Sequence, residues 1–181
     1  MTILEEARAL RAYLTGLRRD LHRHPELSWQ ETRTQALICR ELDGLGIPYE
    51  KACGTGVLAE LHGAGDGPAV GLRADMDALP IAEQNDCAYR SETPGVMHAC
   101  GHDCHVAMLL GAARILKARE AELRGTVKLI FQPAEEVIEG ARDVYAAPAR
   151  RSRPRVRRAR VDRPSGRAAV GRGRPPVSTR A

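Results

Sequence analysis

Long apolar runs are missing from this 181-residue chain. None approaches the ~20 residues that cross a bilayer, and the opening Met1-Thr2-Ile3-Leu4-Glu5-Glu6 is acidic where a secretory leader would be basic and then apolar. A cytosolic protein is therefore expected. Aromatic residues are scarce at 3%, with Trp29 and Phe131 single of their kind, so the 43% hydrophobic content that must build a core is largely aliphatic. Cysteines number five, at 39, 53, 87, 100 and 104. An odd count in irregular spacing argues against a disulfide framework.

The net charge of +5 conceals a division. Residues 142–181 lack Leu, Ile, Lys, Glu and His, and hold 13 Arg against only Asp143 and Asp162, a local +11. Taking those from 28 basic and 23 acidic residues leaves 15 against 21 over residues 1–141, or −6. No helical or strand period persists in the basic segment, which cannot bury enough apolar surface to offset its ordering entropy and is expected to be disordered. Its Arg, Ala, Pro and Gly have GC-rich codons, which points to a frameshifted product. The other reading is a polyanion-binding tail, which would hold nucleic acid non-specifically and with strong salt dependence; it lacks interleaved aromatics and a helical register. The division gives two segments: 1–141, the folded part, and 142–181, the Arg/Pro-rich tail.

Within residues 1–141, Leu4, Ala7, Leu10, Leu14, Leu17 and Leu21 sit at helical spacing and predict a helix over 3–23, ended by Pro25. Ser28 with Glu31 matches a capping box opening a second helix that Gly44 and Gly46 close near Leu45. Strands are predicted at 57–62, at 69–74 after a Gly-Asp-Gly-Pro turn at 65–68, and at 126–131. A long loop, about 80–101, then precedes a helix from Asp103 to about Glu122. The order predicts an α/β fold. Asp75-Met76-Asp77 follows the second strand and Gln132-Pro133-Ala134-Glu135-Glu136 follows the third. Sites in open α/β sheets form beyond the carboxyl ends of strands, which is where both acidic elements fall.

His98-Ala99-Cys100-Gly101-His102-Asp103-Cys104-His105 packs three histidines, two thiols and a carboxylate into eight residues. With the Glu135-Glu136 pair it offers what a hydrolytic metal site requires: imidazole and thiolate to hold a divalent ion, one carboxylate to complete the shell, and another to move a proton. Plainer readings stand beside this one. Cys100 and His102 could be a packed thiol and a loop histidine, or could join Cys104 and His105 in a small structural zinc site, although such sites usually draw on two separated ligand pairs. Glu135 and Glu136 could be a solvated helix start. Asp75 and Asp77 could cap a loop; Asp77 is better placed to orient a ligand from behind. His105, on the first turn of a helix, is a candidate supporting group. His22 and His24 suit loop anchoring. Cys39, Cys53, Cys87 and Cys104 suit ordinary packing.

Four segments in order, Arg19-Asp20-Leu21-His22-Arg23-His24-Pro25-Glu26-Leu27-Ser28, Leu72-Arg73-Ala74-Asp75-Met76-Asp77-Ala78-Leu79-Pro80, Met97-His98-Ala99-Cys100-Gly101-His102-Asp103 and Phe131-Gln132-Pro133-Ala134-Glu135-Glu136, resemble the hippurate hydrolase and N-acyl-amino-acid amidohydrolase family, relatives of aminoacylases and auxin-conjugate hydrolases. The resemblance covers residues 1 to about 141. It implies the N-terminal part of an aminopeptidase-like catalytic domain, with a mixed sheet flanked by helices. It also implies two divalent ions (Mn, Zn, Co or Ni), with Cys100, His102 and Glu136 as ligands and Glu135 as general base, beside which Asp77 keeps the supporting catalytic role read above from its place after the strand. The implied substrate is a small N-acyl amino acid of the hippurate kind, and the implied assembly a homodimer formed through an inserted domain. Two further ligand histidines are expected downstream, yet no histidine follows His105. A shortened, weakly active or inactive chain is the expectation, with a non-catalytic remnant as the alternative.

Overall fold

The computed structural model describes residues 1–146. Its elements are α1 (Ile3–Ala9), α2 (Arg11–Arg23), α3 (Thr32–Leu45), β1 (Tyr49–Ala52), β2 (Gly56–His62), β3 (Gly65–Asp75), α4 (His102–Ala118), β4 (Arg124–Gln132) and α5 (Gly140–Ala146), with a 3-10 turn at Glu120–Glu122. The strands form one mixed sheet in the order β1-β2-β4-β3. β2 pairs antiparallel with β1 and β4, while β3 and β4 run parallel. The expected α/β class and mixed sheet are both present.

Strand alternation sorts the sheet into two faces. Val57, Ala59 and Leu61 of β2, Leu129 and Phe131 of β4, and Ala74 of β3 are buried. Leu17 and Leu21 of α2, Leu37, Ile38 and Leu42 of α3, and Val106, Leu109, Leu110 and Ala113 of α4 join them in one core. α4 packs against α2 and β3, and α3 against β2 and α4. Lys128 and Glu60, register partners on the opposite face, form an ion pair at 2.9 Å.

Several local expectations need correction. The helix over 3–23 is interrupted at Leu10 (φ −81°, ψ 0°), and its first turns contribute no fully buried residue: Leu4 is 59% exposed and full burial begins at Leu17. Ser28 and Glu31 form no capping box. α3 starts at Thr32, and the Glu26 carboxylate caps it by accepting the amides of Arg33 at 2.9 Å and Thr34 at 2.8 Å. The Gly-Asp-Gly-Pro stretch lies in the irregular start of β3, with a register shift between Gly65 and Ala69. α4 ends at Ala118 rather than near Glu122. β1 was not anticipated: four residues at a sheet edge carry too little alternation to register. At the other end of α3, Gly46 closes the helix in the left-handed region (φ 63°), as expected.

The boundary read at 141/142 falls inside α5. The remainder of the segment expected to be disordered, frameshifted or polyanion-binding lies outside the described residues.

Candidate metal centre

β3 and β4 are parallel, and their last residues, Asp75 and Gln132, are register partners. The chain that follows each strand therefore emerges at the same sheet edge. Between them arrives the N-terminus of α4, opened by Gly101 in the left-handed conformation (φ 81°).

At this junction single donor atoms of Cys100, His102 and Glu136 lie within 4.8 Å of one another. Nε2 of His102 is 3.8 Å from Glu136 Oε1 and 3.9 Å from Glu135 Oε2. Asp77 stands behind His102. Its carbonyl oxygen is 2.9 Å from Nδ1 and its Oδ1 3.2 Å away. Both partners are acceptors, so Nδ1 carries the proton and Nε2 presents its lone pair toward the glutamates. Asp77 Oδ2 accepts the Ser28 hydroxyl at 2.7 Å and the Glu136 amide at 2.9 Å. Burial alone would raise the Asp77 carboxyl, but these hydrogen bonds outweigh it and hold the group at about 2. Burial likewise pulls His102 down, and Asp77 more than compensates, so its pKa is raised.

The loop after β4 is strained where it carries the acid pair. Ala134 (φ 53°) and Ile138 (φ 63°) both occupy the left-handed region. A fully buried carboxylate, Glu31, holds the loop by accepting the Ala134 amide at 2.9 Å and the Thr55 hydroxyl. Gly140 is the one residue that fits against Pro133: a Cβ there would lie 1.7 Å from the Pro133 carbonyl oxygen.

The donor set fits a divalent cation. Glu136 Oε1 is buried with no hydrogen-bond partner, while facing a thiol and an imidazole nitrogen. The Cys100 thiol is pushed up to about 11, first by its interaction with the Glu136 carboxylate, then by burial and by the charges of Glu136, Glu135 and Asp77. One thiol and three carboxylates around one imidazole make a negative cluster that a cation would relieve. Thiolate, imidazole and carboxylate are the ligand types of zinc and its neighbours.

The other candidates distribute as follows. Cys104 is in neither donor group found among the described residues; the four-residue zinc site is not assembled. His105 Nδ1 faces Asp75 Oδ2 at 3.4 Å. His22 bridges Asp103 at 2.6 Å and Glu83 at 3.1 Å, tying α2 to the start of α4 and to the 80–101 loop. His24 lies 3.5 Å from Glu92 of the same loop. Both are therefore loop anchors. All five cysteines are unpaired thiols. The sequence reading missed Glu31 as the anchor of the acid loop and His98 as a buried histidine, 3% exposed, with neither ring nitrogen partnered.

The sequence matches the profile of Peptidase family M20/M25/M40 over residues 71–171. It is 50% identical over 145 residues to an N-acetylcysteine deacetylase of Bacillus subtilis, covering 77% of this chain and 37% of the relative. It is 53% identical over 134 residues to IAA-amino acid hydrolase ILR1-like 6 of Arabidopsis thaliana, covering 74% and 29%. Among solved structures, a Bacillus subtilis protein described as a dinuclear metal binding peptidase of the M20 family superposes with a TM-score of 0.74 at 49% identity, over 77% of this chain and 39% of that one. The chain thus spans about a third of the length of the curated relatives it matches.

Proposed function

The chain belongs to Peptidase family M20/M25/M40, and from that premise we propose that it carries part of the centre of a metal-dependent amidohydrolase acting on N-acyl amino acids, hippurate-like compounds among them. The observation that carries this reading is the convergence of Cys100, His102 and Glu136 within 4.8 Å, with Glu135 beside them. Relatives that act on N-acetylcysteine and on IAA-amino acid conjugates share the same leaving group, an amino acid released from an acyl cap.

In this reading Cys100, His102 and Glu136 hold a divalent ion of the manganese, zinc, cobalt or nickel kind. Bound there, such ions supply Lewis acidity toward water and the acyl carbonyl. Asp77 fixes the His102 ring so that Nε2 faces inward. Glu135, with its side chain 41% exposed, can meet a water and an entering substrate; it takes a proton from the attacking water and returns it to the leaving amine. Three donors do not fill the coordination of two ions, and no histidine follows His105. The 181 residues alone are therefore expected to bind metal weakly and to turn over N-acyl amino acids at background level. Homodimerisation rests on the resemblance. Among the described residues no helix is long and apolar enough to cross a membrane.

The test is a cobalt(II) titration of this chain followed by absorbance. A sulfur-to-cobalt charge-transfer band should form, vanish in Cys100→Ser, weaken in Glu136→Gln and persist in Glu135→Gln. A Glu135→Gln variant that loses the ion would remove the assignment of base and ligand.

A further inference from the structure

A second donor group shares His102. Asp75, His102 and His105 each offer one atom within 4.8 Å of the others. His105 lies three residues beyond His102 on α4, on the same face, and the two rings are 5.2 Å apart at 32°. Asp75 ends β3; its Oδ1 pairs with Arg73, and its Oδ2 is turned to His105.

The 3.4 Å between Asp75 Oδ2 and His105 Nδ1 is long for a charge-assisted hydrogen bond, which would close to about 2.7–2.9 Å. It matches the edge of a tetrahedron around an ion with ligands at about 2.0–2.1 Å, an edge of about 3.4 Å. Asp75 is largely buried, whereas the His105 side chain is 43% exposed, so one side is open to an entering ion and its remaining waters. Two imidazoles and a carboxylate with an open position make a recurrent zinc-type donor set.

We propose that Asp75, His102 and His105 form a thiol-free seat for a divalent first-row ion, alternative to Cys100, His102 and Glu136. The alternation follows from His102. Its Nδ1 is committed to Asp77, so Nε2 is the single nitrogen free to ligate, and one lone pair serves one ion. The seat itself does not depend on the proposed function; only its competition with the Cys100 side rests on that reading. Ions that favour nitrogen and oxygen over sulfur should prefer this seat.

The experiment is cobalt(II) titration of the full chain carrying Cys100→Ser and Glu136→Gln together. One equivalent should bind with visible d–d absorbance and no sulfur charge-transfer band. Adding His105→Ala, or separately the nearly isosteric Asp75→Asn, should weaken that binding at least about tenfold, since even supporting groups of a metal site cost that much. Circular dichroism of each variant keeps loss of binding separate from loss of fold. Absence of saturable binding in the folded double variant, or binding indifferent to both added substitutions, would overturn the seat. In the unsubstituted chain, a second equivalent bound while the sulfur band persists would overturn the alternation. Failure of the Cys100 reading would show differently, as an unsubstituted chain with no sulfur band whose cobalt is lost on His105→Ala.

Discussion

The Asp77 carboxylate accepts the backbone amide of Glu136 at 2.9 Å, across 59 residues of sequence. The same residue holds the His102 ring through its carbonyl and its other carboxylate oxygen. One buried acid thereby fixes the two donors, His102 and Glu136, that converge with Cys100. The geometry of the centre depends on it, although it does not itself belong to the donor triad.

Asp77→Asn keeps the shape but supplies one acceptor oxygen where the native carboxylate supplies two. Either the Glu136 amide or the His102 ring then faces an NH2 group. Zinc affinity measured by calorimetry should fall about 10- to 100-fold, the usual cost of losing a supporting hydrogen bond behind a ligand, while the circular dichroism spectrum is retained. Unchanged affinity would show that His102 needs no such support.

Binding should release protons. The Cys100 thiol, at about 11 in the absence of an ion, is protonated at neutral pH and must ionise to ligate. Calorimetry in two buffers of different ionisation enthalpy should show a release at pH 7 that drops by roughly one proton in Cys100→Ser. Equal release in the two proteins would remove the thiolate from the ligand set.

Acid should destabilise the fold through His98. Burial, first among the causes, depresses its pKa to about 4 against 6.5 for an ordinary histidine. The native state therefore binds the proton less readily than the unfolded chain. The contribution is complete above about pH 6.5 and is lost as the pH falls toward 4, amounting to about 3 kcal/mol over that window. His98→Gln should flatten the fall of urea-unfolding free energy between pH 6.5 and 4. Parallel curves for the two proteins would contradict the assignment.

The acid loop should yield to its own strain. Ile138 holds φ 63° with 93% of its surface exposed, so little packing is lost on substitution. Ile138→Gly should raise stability by about 1 kcal/mol, because a β-branched residue in the left-handed region is unfavourable by about 1–2 kcal/mol. Glu31→Ala should lower it by about 2–3 kcal/mol by stranding the Ala134 amide and the Thr55 hydroxyl. Chemical denaturation measures both.

What could be read from the residues alone was what local pattern encodes. Aliphatic alternation located β2, β3 and β4, and Gly46 marked the end of α3. The short Cys-Gly-His spacing and the position of Glu135-Glu136 just past a strand located the donor cluster. Long-range polar partners were not legible. Ser28 and Glu31 match a capping box letter for letter, yet both are drawn to distant groups, Asp77 and the Ala134 amide. The cap of α3 comes from Glu26, beyond the spacing such motifs sample. Asp75 was legible as an acid at a strand end, but its pairing with His105 depends on how α4 lies against β3, which no local period specifies.

X-ray absorption of the zinc-loaded chain tests the central claim most directly. Zinc held by Cys100, His102 and Glu136 should show one sulfur scatterer near ~2.3 Å among nitrogen and oxygen scatterers near ~2.0–2.1 Å, with the sulfur lost in Cys100→Ser. A first shell of nitrogen and oxygen alone in the unsubstituted chain, unchanged by Cys100→Ser, would contradict it.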